Sequence, residues 1–395
     1  MPDAISRRQA LATLSTTAAA LAGAPAVLRG RYRLSAQSPA EYSARCLRLV
    51  EEAPVVDMLC QFKFPDLRQE GTPVPTRWLR EPAAFTEADW TAFRESGVNI
   101  LALGRGAPSY EAALAFQAEW SGFIASHSDW FTRVDDPRDL TRVPDSGKLG
   151  IMLTYQNSDH FRTLDDINTF WGLGQRVSQL TYNFQNRLGS GFLEHRDGGL
   201  SVFGHQVVER MQRVGMAVDA SHCADQTTLD TLAAATRPVV FTHAACRALM
   251  PGYTRCKTDE MIQKLAAGGG VMGIALIRFM IRPAPPVTVE HVVDHFDHVI
   301  RLVGPEHVGL GTDLDLFGLG APIQRPGTPG IEAQPNFDRY RAYYAENGGV
   351  HVDGLDHHRK LYDLTEAFIR RGWSDATIRL ALGGNWVRVL TELWG

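Results

Sequence analysis

Short apolar runs alternate with segments of helical period along most of the chain. The runs at 52–62 (EAPVVDMLCQF), 98–104 (VNILALG), 149–157 (LGIMLTYQN) and 177–183 (VSQLTYN) are followed by MAVDAS at 216–221, VVFT at 239–242, GGGVMGIAL at 268–276 and VGLGTDLDLFG at 308–318. Each is nearly continuous in apolar residues instead of strictly alternating, as expected of parallel strands buried on both faces. Between them, 38–52, 110–126, 164–174, 205–214, 259–267 and 288–303 read as helices, with two more at 362–371 and 385–393. Thr258 precedes acidic residues at the start of 259–267, which suits a helix N-terminus. The run ATIRLALGG at 376–384 reads as one more strand. About eight strands alternating with helices predict a (β/α)8 TIM barrel of the metal-dependent-hydrolase type. No glycine-rich dinucleotide loop follows the first strand, which disfavours an open doubly wound sheet.

Two of the runs have the same ending. MAVDAS leads into His222 and VVFT into His243, with small or polar residues after each. In a parallel barrel, reactive side chains gather at the carboxyl ends of strands, so this pattern aims two imidazoles at one pocket. Asp313 and Asp315 lie just past the run at 308. His291, His295 and His298 share one helix face, a spacing that a packed or surface face also produces, and that helix leads away from the rim. The segment 320–350, rich in Gly and Pro and carrying Tyr340, Tyr343 and Tyr344, suits either an active-site loop or an elaborated surface connection.

The first 30 residues have a different character. A polar start, the pair Arg7 and Arg8, an alanine-rich apolar run from 10 to 22, and AGA and APA sequences have the form of a twin-arginine signal peptide. Such a run is too short for a permanent membrane span, which needs about 20 apolar residues. The expected organisation is a leader at 1–30 and one barrel domain at 31–395, exported to the bacterial periplasm. A formal net charge of -4 gives no reason to expect nucleic acid as a partner. Cys46, Cys60, Cys223, Cys246 and Cys256 form an odd set without CxxC spacing, so neither a disulfide framework nor a zinc knuckle is signalled.

Five blocks carry a resemblance: RDGGLSVFGHQVVERMQRVGMAVDASHCAD, PVVFTHAACRAL, TDEMIQKLAAGGGVMGIAL, DHFDHVIRLVGPEHVGLGTDLD and GGNWVRVL. In this order they resemble the membrane (renal) dipeptidase family of zinc hydrolases, from about residue 50 to the C-terminus. The resemblance implies a (β/α)8 barrel, a two-zinc centre that cleaves dipeptides in the best-known members, and often a homodimer.

Carried over residue by residue, that centre is incomplete. Its two histidines for the second zinc match His222 and His243. The His-x-Asp pair of the first zinc falls on Leu59 and Gln61, the bridging glutamate on Gln156, and a histidine that contacts the substrate on Tyr182. Leucine offers no donor, and a neutral amide is a far weaker zinc ligand than a carboxylate. This leaves at most one zinc ion, held by His222 and His243, with Gln156, Cys60 or Asp313 as candidates to complete it. Cys60 suits either a thiolate ligand or nucleophile, or a buried packing residue. Arg255 matches the arginine that holds a substrate carboxylate, and Asp313 the aspartate beside the metal centre that takes part in binding or proton transfer.

The expectation is an exported dipeptidase-like hydrolase acting on a dipeptide or a small carboxylate-bearing amide. A zinc-bound water attacks, Asp313 relays a proton, Tyr182 donates to the oxyanion and Arg255 holds the carboxylate. Two alternatives stay open: a metal-free lyase or isomerase on a small amino-acid-like molecule, and a catalytically silent periplasmic binding protein.

Overall fold

The computed structural model describes residues 30–34, 40–60, 78–79, 81–314, 316 and 352–395. Residues 1–29, Gln61, Asp315 and the three tyrosines of the 320–350 segment lie outside the described residues.

Eight parallel strands close into a barrel: β1 (Val56–Cys60), β2 (Ile100–Arg105), β3 (Leu149–Tyr155), β4 (Val177–Gln179), β5 (Ala217–Asp219), β6 (Val239–Ala244), β7 (Val271–Ile274) and β8 (Val308–Leu310). Each pairs with its neighbours in sequence, and β8 returns to β1. A short ninth strand, Phe131–Arg133, joins the outer edge of β3. Along β2, Ile100 and Ala102 face the barrel interior while Leu101 and Leu103 face the outer helices, so both faces of the strand are apolar. This is why the strands read as continuous runs.

The helices start where capping chemistry allows. Thr258 accepts from the amide of Met261 at the head of Asp259–Ala267, and Ser201 accepts from Gly204 at the head of Val202–Val214. The run ATIRLALGG is helical, contrary to the strand expectation: Asp375–Arg379 passes into a wide turn at Leu380–Gly384. The barrel was already closed by eight strands, and this segment packs across the chain entering β1, where a side chain on Gly383 would collide with the carbonyl of Pro54.

The last helix, Asn385–Trp394, plugs the amino-terminal end of the barrel. Trp386, Val389, Leu390 and Leu393 pack with Val56, Met58, Ile100, Val240 and Val271. Trp386 Nε1 donates to the carbonyl of Leu310 at 2.9 Å, and Asn385 Nδ2 donates to Pro305 and Val308. With one mouth sealed by apolar packing, the carboxyl-end mouth is left for chemistry. Among the described residues no helix is long and apolar enough to cross a membrane.

Candidate functional site

His222 and His243 leave the ends of β5 and β6 and meet. Their Nε2 atoms stand 3.0 Å apart, with ring centroids 5.0 Å apart. The remaining nitrogen of each ring is already engaged. His222 Nδ1–H donates to Asn183 Oδ1 at 2.9 Å, and His243 Nδ1–H donates to Thr242 Oγ1 at 2.8 Å. The direction of the second bond is set one step further back. Asp219 is buried at the end of β5 and accepts from the hydroxyls of Ser221 and Thr242 and from both of their backbone amides. With its proton committed to Asp219, the Thr242 oxygen is left to accept from His243.

Two neutral imidazoles therefore present Nε2 lone pairs to each other across 3.0 Å. That arrangement calls for a positive guest, either a proton or a metal ion. Burial depresses the basicity of both rings, and Arg255 and Lys257 add to the effect, so protonation is disfavoured. Zinc–imidazole bonds are about 2.0–2.1 Å long, so two on one ion hold their nitrogens roughly 3.3 Å apart. The pair fits one ion.

The pair alone supplies two ligands, short of the three or four that a zinc site uses. Among the described residues, no group of three or more His, Cys, Asp or Glu side chains is arranged to hold a metal. The reason is visible at β1. Between Asp57 and Cys60 the register against β2 slips by one residue, a bulge that re-aims the strand end. Leu59 turns inward and packs with Gln156 over Gly104, where an added Cβ would lie 2.2 Å from Leu59 Cδ1 and 3.1 Å from Gln156 Cγ. An isobutyl group and an amide thus stand at the carboxyl ends of β1 and β3. Cys60, considered from sequence as a ligand, joins the apolar layer between the strands and the outer helices. All five cysteines are buried, and none is in a disulfide.

Arg255 is buried beside the pair. Its Nη1 donates to Ser221 O at 2.7 Å and its Nη2 to His243 O at 2.8 Å, so it braces the two histidine strands while three N–H donors remain. Asp313 holds a left-handed backbone with φ of 54°, a conformation that costs a non-glycine residue energy and concentrates at functional positions. Its amide donates to Leu59 O at 2.9 Å, which brings the end of β8 to β1. Tyr182 is 43% exposed and lies almost parallel to His222, with centroids 4.4 Å apart and 23° between planes. The helix histidines separate: His291 caps its helix, His295 bonds within the core to Ile281 O and the Cys246 amide, and His298 pairs with Asp259.

The family model for membrane dipeptidase (peptidase family M19) matches residues 80–324 and 343–393. The chain belongs to that family. Among relatives of the membrane dipeptidase family, dipeptidase 3 of Rattus norvegicus is 27% identical over 233 residues, which cover 58% of this chain and 41% of the relative. Dipeptidase tcpJ of Claviceps purpurea is 32% identical over 196 residues, covering 49% and 39% respectively. The matched part thus spans less than half the length of these relatives. An amidohydrolase structure from Pseudomonas aeruginosa superposes with a TM-score of 0.72 at 24% identity, covering 89% of this chain and 99% of that one. A metallo peptidase from Rhodobacter sphaeroides, liganded with a phosphinate mimic of L-Ala-D-Ala, superposes at 0.69 with 18% identity over 87% of this chain and 99% of its own. These structures share the barrel fold.

Sequence reading found the two histidines but not what orients them. Asn183, Thr242 and Asp219 were missed as site residues. One signal was present: Asp219 is a carboxylate inside an apolar strand run, and a buried charge needs partners.

Proposed function

We propose that this chain is a dipeptidase-like hydrolase acting on a dipeptide or small carboxylate-bearing amide, with a single metal ion, zinc by ligand type, at His222 and His243. The observation that carries the reading is the facing pair of Nε2 lone pairs, each fixed by a bond at the opposite ring nitrogen. A metal held there supplies Lewis acidity and a water of lowered pKa. The chain's own residues do the rest. Asn183 and the Asp219–Thr242 pair lock the tautomers, which raises ligand basicity and fixes ring direction. Arg255 offers its unused donors to a substrate carboxylate. Asp313 moves the proton from nucleophile to leaving amine, and the Tyr182 hydroxyl donates to the developing oxyanion. Gln156, from β3, offers an amide oxygen or nitrogen to the substrate or to the ion. The Arg7–Arg8 leader supports export to the periplasm, which fractionation of cells expressing the full chain tests; sedimentation tests a homodimer.

Elemental analysis of protein purified without chelators, beside His222→Ala and His243→Ala, is the decisive measurement. About one ion per chain, lost in both variants and accompanied by dipeptide cleavage, is the expected result. Absence of metal sinks this mechanism.

A second reading rests on Leu59 and Gln156, an alkyl group and a neutral amide that stand together at the ends of β1 and β3. It is a metal-free lyase or isomerase, or a silent binding protein. Turnover that survives complete chelation supports the former, and ligand binding without turnover the latter.

A further inference from the structure

The histidine pair is bordered by aromatic rings, of which Tyr182 is exposed while Phe192 and Phe279 are buried. Tyr182 lies over one face of His222. Phe192 meets the same imidazole edge-on at 5.8 Å and 61°, and reaches Tyr253 at 6.2 Å; Tyr253 meets Phe279 at 6.2 Å and 85°. The four rings come from the segments after β4, β6 and β7, so three separate connections supply this border. The rings are built into the site: Phe192 N donates to His222 O at 2.9 Å, and Thr254 Oγ1 donates to Phe192 O at 3.1 Å. Loops at this rim are usually polar, and a large ring held 43% exposed beside a reactive group is a contact surface for a ligand. Arg255 and Lys257, both buried close behind, give the same surroundings a positive potential.

We infer that the substrate class is an amide or dipeptide whose side chain next to the carboxylate end is aromatic, and that Tyr182 is the residue that selects it. The inference deepens the hydrolase reading and rests on it for the location of the amide. An incoming ring stacks on Tyr182 or meets it edge-on, the two geometries aromatic pairs favour, and its attached carboxylate faces the Arg255 side. An alkyl side chain obtains the burial but not the quadrupole contact. That difference is worth roughly two- to tenfold in Kd.

The test uses the full chain and two probes that carry the side chain and carboxylate without any amide bond, phenylalanine and alanine, with Kd by calorimetry and dipeptide cleavage assayed separately. The phenyl probe is expected to bind at least about fivefold tighter, counting ring area as well as stacking. Tyr182→Leu lowers the preference by roughly two- to tenfold, the stacking share, while Tyr182→Phe keeps it because the ring is retained. Equal binding by wild-type protein, a preference untouched in Tyr182→Leu, or no binding of either probe overturns the inference, even if dipeptides are cleaved. A phenyl preference without any cleavage supports it and rejects the hydrolase reading instead.

Discussion

Thr242→Val isolates the tautomer lock. Valine keeps the shape of threonine but removes one hydroxyl, which in the native protein accepts from His243 Nδ1 at 2.8 Å and donates to Asp219 Oδ2. Two buried groups lose a partner. Each stranded donor or acceptor costs about 1–3 kcal/mol, so the folded state is expected to lose roughly 2–4 kcal/mol, with Asp219 keeping three other donors. The consequence at the site is separate from stability. Without an acceptor at Nδ1, His243 gains access to the tautomer that protonates Nε2, and metal affinity falls by about 10- to 100-fold, the usual cost of removing such a partner. Zinc titration against a competing chelator reads the affinity, and urea unfolding of the apo-protein reads the stability. Zinc affinity within twofold of wild type, together with the expected loss of stability, would refute the claim that Thr242 orients a ligand and leave it a packing role only.

Three further outcomes follow from the geometry. Trp386→Ala removes the centre of the barrel plug and is expected to cost about 3–5 kcal/mol in denaturant unfolding, most of it cavity; a loss under 1 kcal/mol would show that the plug is dispensable. A Cβ on Gly311 would lie 1.8 Å from Thr242 O and 3.2 Å from His243 Cα, so Gly311→Ala is expected to cost about 1–3 kcal/mol and to displace His243, with zinc affinity lower than in the parent; an unshifted affinity contradicts the close approach. Burial pushes the Asp57 carboxyl up to about 6, against the opposing hydrogen bonds from Thr312. Because the folded pKa lies above the unfolded one, its contribution is fully present below about pH 4 and is lost as pH rises through about 6, a swing of about 3 kcal/mol. Stability measured from pH 4 to 7 should lose this component in Asp57→Asn, and an identical pH slope in variant and parent would count against it.

Much of this protein is legible in its sequence. The eight apolar runs, their order and the helices between them follow from burial on both faces of each strand and from caps such as Thr258. The pairing of His222 with His243 follows from their equal positions at the ends of adjacent strands, and the family from five blocks in order. Other features were decided in three dimensions. The run at 376–384 has the composition of a strand, but a closed barrel has no edge left to accept it, and it coils against the entry to β1. Cys60 and Leu59 exchange faces through a one-residue bulge that no local pattern announces, since both residues are apolar enough for either side. The protonation pattern of the histidines depends on Asn183, 39 positions before His222, and on Asp219 acting through Thr242 from the neighbouring strand. Sequence determined which side chains stand at the strand ends, because periodicity and burial are local. The direction of each lone pair was left to tertiary structure, because a hydrogen-bond partner is chosen by closeness in space and not by distance along the chain.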